Sequence, residues 1–466
     1  MNGKVITMKK DDAKKLLLKQ KSVYYQNNDF FALANDYCKG YRGFIDYSKT
    51  ERESVDWAII EAKKNGFLEY SEGTKYKQGD KIYYNNRGKS IFLAVIGEDM
   101  ADGVNIVMAH TDSPRIDLKQ RPLYEAGGLS YFKTHYYGGL KKYQWTALPL
   151  SLHGVVYLKD GSELKINIGE DEDDPVLYIS DLMPHIGKDQ YSRHLGDGIQ
   201  GEELNVINGS VPLEDDEDES VKLAVIALLN EKYGLTEKDL INAELTVTPA
   251  IKSRDVGFDR GMIAAYGQDD RICAYPAITA LFELESPNKT AMAVFADKEE
   301  IGSVGVTGIR SAALSHFLID LCDGDMKKYT MMCRRSVCLS ADVGGAFDPT
   351  FAGAYEASNS AYINKGVVIT KYTGSRGKSG TSDASAELFN RISKLCDNNG
   401  IIWQTGEYGK VDQGGAGTVA SDISELNIDV IDIGVPILSM HSPIELASKG
   451  DIYMTYKCFA AFYLNN

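Results

Sequence analysis

A chain of 466 residues with a formal net charge of -15 is too long for one ordinary core, and its acidity argues against nucleic acid or an anionic membrane as partner. No run approaches the roughly 18 apolar residues of a membrane span, and Met1 to Gln20 is polar and lysine-rich rather than a secretory signal, so a two-domain globular protein of the cytoplasm is expected. The seven cysteines are scattered without a Cys-x-x-Cys pair, which argues against a disulfide framework or a cysteine zinc site and leaves them as small core residues.

The chain opens with helical spacing over Asp11 to Gln26, Asp29 to Tyr41 and Lys49 to Lys64. The period then changes to strands at Lys81 to Tyr84, Ser90 to Ile96 and Val104 to Met108. The last runs directly into Ala109-His110-Thr111-Asp112-Ser113-Pro114. A lone histidine after a strand is ordinarily a loop side chain. A carboxylate two residues on can accept the ring proton that a metal-binding nitrogen leaves unused.

From about Gln120 to Ala250 the composition shifts. Between Arg121 and Val247 there are 11 Lys and Arg against 23 Asp and Glu, a balance of 11 minus 23, or -12. Short strands at Ser151 to Lys159 and Glu163 to Ile168, a helix at Ser220 to Tyr233 and a strand at Glu244 to Val247 read as an inserted second domain, leaving 1–120 and 250–466 to the first. The acidic runs Glu170 to Asp174 and Glu214 to Glu219 read as solvated loops. His185, in Asp181-Leu182-Met183-Pro184-His185, is either an ordinary loop residue or a contributor to a site.

The main pattern resumes with Gln268-Asp269-Asp270-Arg271 before an apolar helix, Ile272 to Leu284, where paired aspartates would by default cap the helix. Strand Thr290 to Phe295 leads to Asp297-Lys298-Glu299-Glu300, strand Ser336 to Ser340 to Asp342, and Asp429 to Ile433 with Pro436 to Met440 to His441. Between them lie a helix at Asp383 to Asn398 and a strand at Ile401 to Gln404; a last helix spans Ile452 to Tyr463. Asp412-Gln413-Gly414-Gly415-Ala416-Gly417 lacks the lysine of a phosphate loop and reads as a flexible loop on the substrate side. Adjacent carboxylates at a strand end splay apart, so Glu299 and Glu300 can take different roles: one binds a cation while the other moves a proton. His110, Asp269, Glu299, Glu300, Asp342 and His441 together supply two imidazoles and three carboxylates for two zinc ions, with one carboxylate over.

These motifs, in this order and across essentially the whole chain, resemble the aspartyl aminopeptidases of bacterial type and their vacuolar aminopeptidase relatives. The resemblance implies an α/β/α catalytic domain with a mixed sheet, a β-rich inserted dimerisation domain and two Zn2+ per subunit, with Co2+ or Mn2+ as alternatives. It implies His110 and Asp342 on one metal, Glu300 and His441 on the other, Asp269 bridging, Glu299 as general base and Asp112 orienting His110. Peptide substrates, no nucleic acid or membrane partner, and dimers assembling into a dodecamer follow in the same way, as does a histidine like His185 reaching a neighbouring subunit's site. Lys371 matches a specificity residue of relatives that prefer acidic amino-terminal residues, or is a strand-edge lysine facing water. A carboxypeptidase or deacylase of the same clan, and a non-catalytic acidic cargo or scaffold protein, are the alternative functions. The chain departs from many relatives in having Asp270 where they have asparagine, and Gly344-Gly345 where they have a histidine-containing segment.

Overall fold

The computed structural model describes residues 8–213 and 218–465. Twenty-one strands form three sheets among the described residues. In chain order the first four are β1 (Leu68–Glu69), β2 (Lys81–Asn86), β3 (Ser90–Val95) and β4 (Val104–His110). The next seven are β5 (Arg115–Ala126), β6 (Leu129–Tyr137), β7 (Pro149–Tyr157), β8 (Glu163–Ile168), β9 (Leu177–Tyr178), β10 (Val206–Gly209) and β11 (Ala243–Pro249). There follow β12 (Arg254–Val256), β13 (Met262–Ala265), β14 (Thr290–Ala296), β15 (Val337–Ala341) and β16 (Gly344–Gly345). The last five are β17 (Val367–Thr370), β18 (Trp403–Thr405), β19 (Asp429–Gly434), β20 (Pro436–Leu438) and β21 (Glu445–Ser448).

The main sheet runs β1-β2-β3-β14-β4-β15-β19-β17-β18 and is mixed. Its centre, β14-β4-β15-β19, is parallel, with Ala296 opposite His110 and Ala341 opposite Ile433. Parallel strands must be covered on both faces, which is why they read as nearly unbroken apolar runs. Side chains alternate accordingly: Val107 and Ala109 enter one core with Phe44, Ile278 and Phe459, whereas Ile106 and Met108 enter another with Phe317, Leu318 and Met332. Helices Phe30–Tyr47, Gln268–Phe282 and Lys449–Tyr463 supply the first cover, and Ala313–Leu321 and Met326–Arg335 the second. The architecture is therefore α/β/α, and it sets the carboxyl ends of β4, β14 and β15 side by side.

The second sheet runs β11-β5-β6-β10-β9-β7-β8, and an additional β11–β7 pairing closes six of these strands into a barrel-like ring. Closure satisfies strand edges that an open sheet of this size would expose. Trp145, Leu150, Val206 and Val247 fill it, and Val225 of helix Ser220–Tyr233 packs on them. The third sheet, β12-β13-β21-β20-β16, joins the chain before β14 to the chain after β19. All seven cysteines are buried free thiols.

Two readings change. The helix expected over Asp11 to Gln26 is reduced to Lys10–Lys14 and a single turn at Val23–Tyr25. Leu16, Leu17 and Leu18 are exposed, and a helix that length without a packed face is marginal in water. The acidic run at Glu170 is not simply solvated, since Glu170 Oε1 lies 3.2 Å from His153 Nε2 and 3.8 Å from Lys49 Nζ. Residues 1–7 of the amino-terminal pattern and 214–217 of the second acidic run lie outside the described residues. Leu17→Ser should change stability by no more than about 0.5 kcal/mol, whereas Phe295→Ala, on fully buried β14, should cost about 3–5 kcal/mol; urea unfolding midpoints of the two variants check both.

Candidate metal centre

Residues from the ends of parallel strands meet in a cavity of about 590 Å³. His110 is the last residue of β4, Asp342 follows β15, and Glu299 and Glu300 form a tight turn three residues past β14. His441 follows β20, and Asp269 stands at the start of helix Gln268–Phe282. The default cap reading of Asp269 does not hold, because its backbone is non-helical (φ -79°, ψ 107°) and its carboxylate faces imidazoles instead of amides.

Asp269 is the centre of the arrangement. His110 Nε2 lies 3.1 Å from its Oδ1, and His441 Nε2 lies 3.1 Å from its Oδ2. On the His110 side, Asp342 Oδ1 and Glu299 Oε2 are each 3.9 Å from the same ring nitrogen. On the other, Glu300 Oε1 is 3.3 Å from His441 Nε2. Three groups among the described residues could each hold a cation: His110 with Asp269 and Asp342, His110 with Glu299 and Glu300, and Asp269 with Glu300 and His441; the first and last share the Asp269 carboxylate. Asp270 is fully buried and neither belongs to these groups nor lines the cavity.

Burying so many acids together is costly, and their protonation shows it. Burial, then the Asp270 charge, drives Asp342 well above the carboxylate range; burial, then Asp269, does the same to Glu300. Glu299 is pushed up to about 7, chiefly by burial. Asp269 shifts the opposite way: both imidazoles bond it and outweigh its burial. Glu300 Oε1 is buried without a hydrogen-bond partner. Four clustered carboxylates, two imidazoles and an unpartnered buried oxygen suit divalent cations of the zinc type, which take oxygen and nitrogen donors near four-coordination.

The flanking residues explain the rest of each motif. His110 Nδ1, the ring nitrogen turned away from Asp269, faces both the Asp112 carbonyl at 2.9 Å and the Asp112 carboxylate at 3.5 Å. That carboxylate accepts from the backbone N–H of Glu299 (3.1 Å) and Glu300 (3.2 Å) and from the Tyr137 hydroxyl (2.9 Å). Ser113 donates to the Asp269 carbonyl (2.6 Å), and Arg271 donates to the Thr111 carbonyl (3.0 Å). The two motifs therefore lock each other.

Three contributors went unnoticed at the level of sequence. Glu445, buried on β21, accepts from the backbone N–H of Asp269 (3.0 Å) and of His441 (2.8 Å), mirroring Asp112 on the other half. Its only sequence signal is an acid four residues after His441 on an otherwise apolar strand. Tyr137 and Gly139 arrive from the end of β6: the Tyr137 hydroxyl reaches Asp112, and His441 Nδ1 donates to the Gly139 carbonyl (2.7 Å). Between them Gly138 has φ +74°, and a Cβ there would stand 3.3 Å from the Glu300 side chain.

Gly415, Ala416 and Gly417 of the glycine-rich segment line the same cavity as the cluster. His185 does not join it; it is exposed on the turn Pro184–Ile186. Lys371 is exposed and lines a separate cavity of about 420 Å³ with Tyr372, Phe389 and Glu407.

Comparison with known proteins agrees with this geometry. The family model described as aminopeptidase I zinc metalloprotease (M18) matches residues 44–463. A Clostridium acetobutylicum protein named probable M18 family aminopeptidase 1 is 46% identical over 451 residues, covering 95% of this chain and 96% of that protein. The crystal structure of an M18 family aminopeptidase from Thermotoga maritima superposes with a TM-score of 0.91 at 39% identity, over 96% of this chain and 99% of that one. A structure described as the S. cerevisiae mApe1 dodecamer has a TM-score of 0.74 at 20% identity, over 93% of this chain and 97% of that one, a likeness of fold.

Tyr137→Phe removes one donor from a buried carboxylate and should lower the denaturation midpoint by an amount equivalent to about 1–3 kcal/mol. An unchanged midpoint would mean that Asp112 is held by the two amides alone.

Proposed function

The chain belongs to the M18 family of zinc metalloprotease aminopeptidases, and we propose that it releases the amino-terminal residue of peptides with two zinc ions and Glu299 as the proton carrier. The observation that carries this reading is the single carboxylate, Asp269, held 3.1 Å from each of two imidazoles. His110 and Asp342 would hold one ion, Glu300 and His441 the other, and Asp269 both. Zinc so held supplies Lewis acidity towards the scissile carbonyl and brings the pKa of water towards neutrality.

The side chains do the remainder. Glu299 takes the proton from the attacking water and later passes it to the departing amine, a role left to it when Asp269, Asp342 and Glu300 serve as the carboxylate ligands. Asp112 fixes Glu299 and Glu300 through their backbone amides, so base and ligand keep their separation as charge moves. Glu445 performs the same task for Asp269 and His441. The acidic cluster attracts the free α-amine of a peptide, which favours cleavage at the amino terminus over the carboxypeptidase and deacylase alternatives. A scaffold role without catalysis has less support, since a scaffold has no need to bury four converging carboxylates.

The assembly is also proposed. The barrel segment 121–249 would pair subunits, with 1–120 and 250–466 as the catalytic part, and dimers would build a closed shell like the dodecamer of the distant relative. No helix among the described residues is long and apolar enough to cross a membrane, and a cytoplasmic location is part of the same proposal. His185, exposed on the barrel, would then reach the site of a neighbouring chain.

Glu299→Gln should retain both zinc ions yet lose several orders of magnitude in kcat, whereas Asp269→Ala should lose metal; zinc analysis after dialysis beside a rate on an amino-acid anilide separates the two roles. Normal turnover by Glu299→Gln would remove the base assignment. His185→Ala and Glu299→Gln chains, each nearly inactive, should recover activity when co-assembled. No recovery in demonstrably mixed oligomers would confine His185 to a structural role.

A further inference from the structure

The barrel meets the catalytic body along a seam of charges. Arg52 of helix Glu51–Lys64 pairs with Glu244 of β11 (2.6 Å), Glu51 with Arg115 of β5 (2.7 Å), and Asp56 with Lys165 of β8. None of these three pairs involves a histidine, the side chain whose charge changes nearest to neutral pH; a fourth contact does. His153 of β7 is fully buried between Glu53 of the same helix and Glu170, which follows β8.

Its two ring nitrogens face different acids. Nδ1 lies 2.8 Å from Glu53 Oε1, whereas Nε2 lies 3.2 Å from Glu170 Oε1 and 3.0 Å from the Ser151 hydroxyl. A neutral imidazole has one N–H and cannot donate to both carboxylates. Ser151 also bonds Glu170, but its single proton cannot serve Glu170 and a vacated ring nitrogen together. Three acceptors would then share two protons, and Glu170 is the one to come free. Glu53 keeps the Lys49 N–H (3.0 Å) and the Thr50 hydroxyl (3.1 Å), whereas the other charge facing Glu170 is Lys49 Nζ at 3.8 Å. Lys49 is in turn drawn to Asp46 and bonded to the Ile251 carbonyl (2.9 Å). Burial alone would lower the His153 pKa, but the Glu53 and Glu170 carboxylates outweigh it and the net shift is upward.

We propose that His153 is a proton-operated clasp on this seam: charged, it holds the Glu170 loop against helix Glu51–Lys64, and on losing its proton it releases that loop, so the barrel seats less firmly as pH rises. The sign follows from linkage. A base that the fold keeps protonated contributes fully below about 6.5, its unfolded value, and the contribution is lost as pH climbs through the raised folded value. The clasp also adjoins the bonds that brace the ligand motif: the Lys49 carbonyl accepts from Arg271 (3.0 Å), whose Nε donates to the Thr111 carbonyl beside His110 (3.0 Å).

The test is hydrogen exchange on the zinc-loaded protein, corrected for the intrinsic pH dependence of exchange, in peptides spanning 49–56 and 163–174. Wild-type protection there should fall roughly 10-fold between about pH 6 and about pH 9, the worth of one hydrogen bond to a charged group. His153→Gln, which cannot take up a proton, should show no such fall. Glu170→Gln should show none either, because its neutral amide can bond both forms of the ring. Constant wild-type protection over this range would overturn the proposal, as would a fall that persists in either variant. Should substitution of the fully buried His153 prevent folding, the comparison of wild type with Glu170→Gln decides.

Discussion

Everything around the cavity answers one electrostatic problem: acids that repel one another are held together where little water can screen them. Four carboxylates and two imidazoles converge, and a buried charge without compensation is among the most expensive features a fold can carry. Cations can offset the charge, but they cannot by themselves keep the donors apart at the correct spacing. That task falls to two further acids, Asp112 and Glu445, each gripping the backbone amides of two neighbours in the cluster. Because an amide moves only with its chain, these bonds fix main-chain positions and leave the side chains to meet the ion.

Much of this arrangement was legible in the residues alone. Apolar runs ending in His110, Glu299 and Asp342 mark parallel strands whose carboxyl ends share an edge, and order along the chain was enough to group them. The parts that stayed hidden share a physical cause. Glu445 acts through a backbone contact that leaves no periodic trace, on a strand that otherwise reads as core. Tyr137 and Gly139 belong to a segment whose bulk composition is that of a solvated excursion, and their two contacts depend on where β6 ends in space. The amino-terminal helix was overread because spacing alone reports a possible apolar face and says nothing of whether anything covers it. Leu16 to Leu18 have the spacing and lack the cover.

Close approach is the second theme. Gly434, at the end of β19, lies where a Cβ would come within 1.8 Å of the Asp342 carbonyl, so the strand can carry the Asp342 backbone only by omitting a side chain. Gly138, at φ +74°, approaches Glu300 more loosely from the barrel side, with a Cβ there standing 3.3 Å from the Glu300 side chain. The cluster is thus walled by backbone at two points, which limits how far its acids can relax away from one another.

β5 begins at Arg115, five residues after His110, and runs without interruption into the barrel, while β6 returns from the barrel to end on Tyr137 beside Asp112. The two bodies are joined only through short segments, 111–114 before β5 and 250–253 after β11, and the first of these is the motif that carries Asp112. The barrel is therefore not a detachable cassette: a chimera that borrowed it from another protein would import its own Tyr137 and Gly139 equivalents, and with them a new alignment of His441 and Asp112. Any torque that a neighbouring copy exerts on the barrel rim would be delivered along those two strands as a displacement of the ligand loop, much as a lever delivers motion at its short arm.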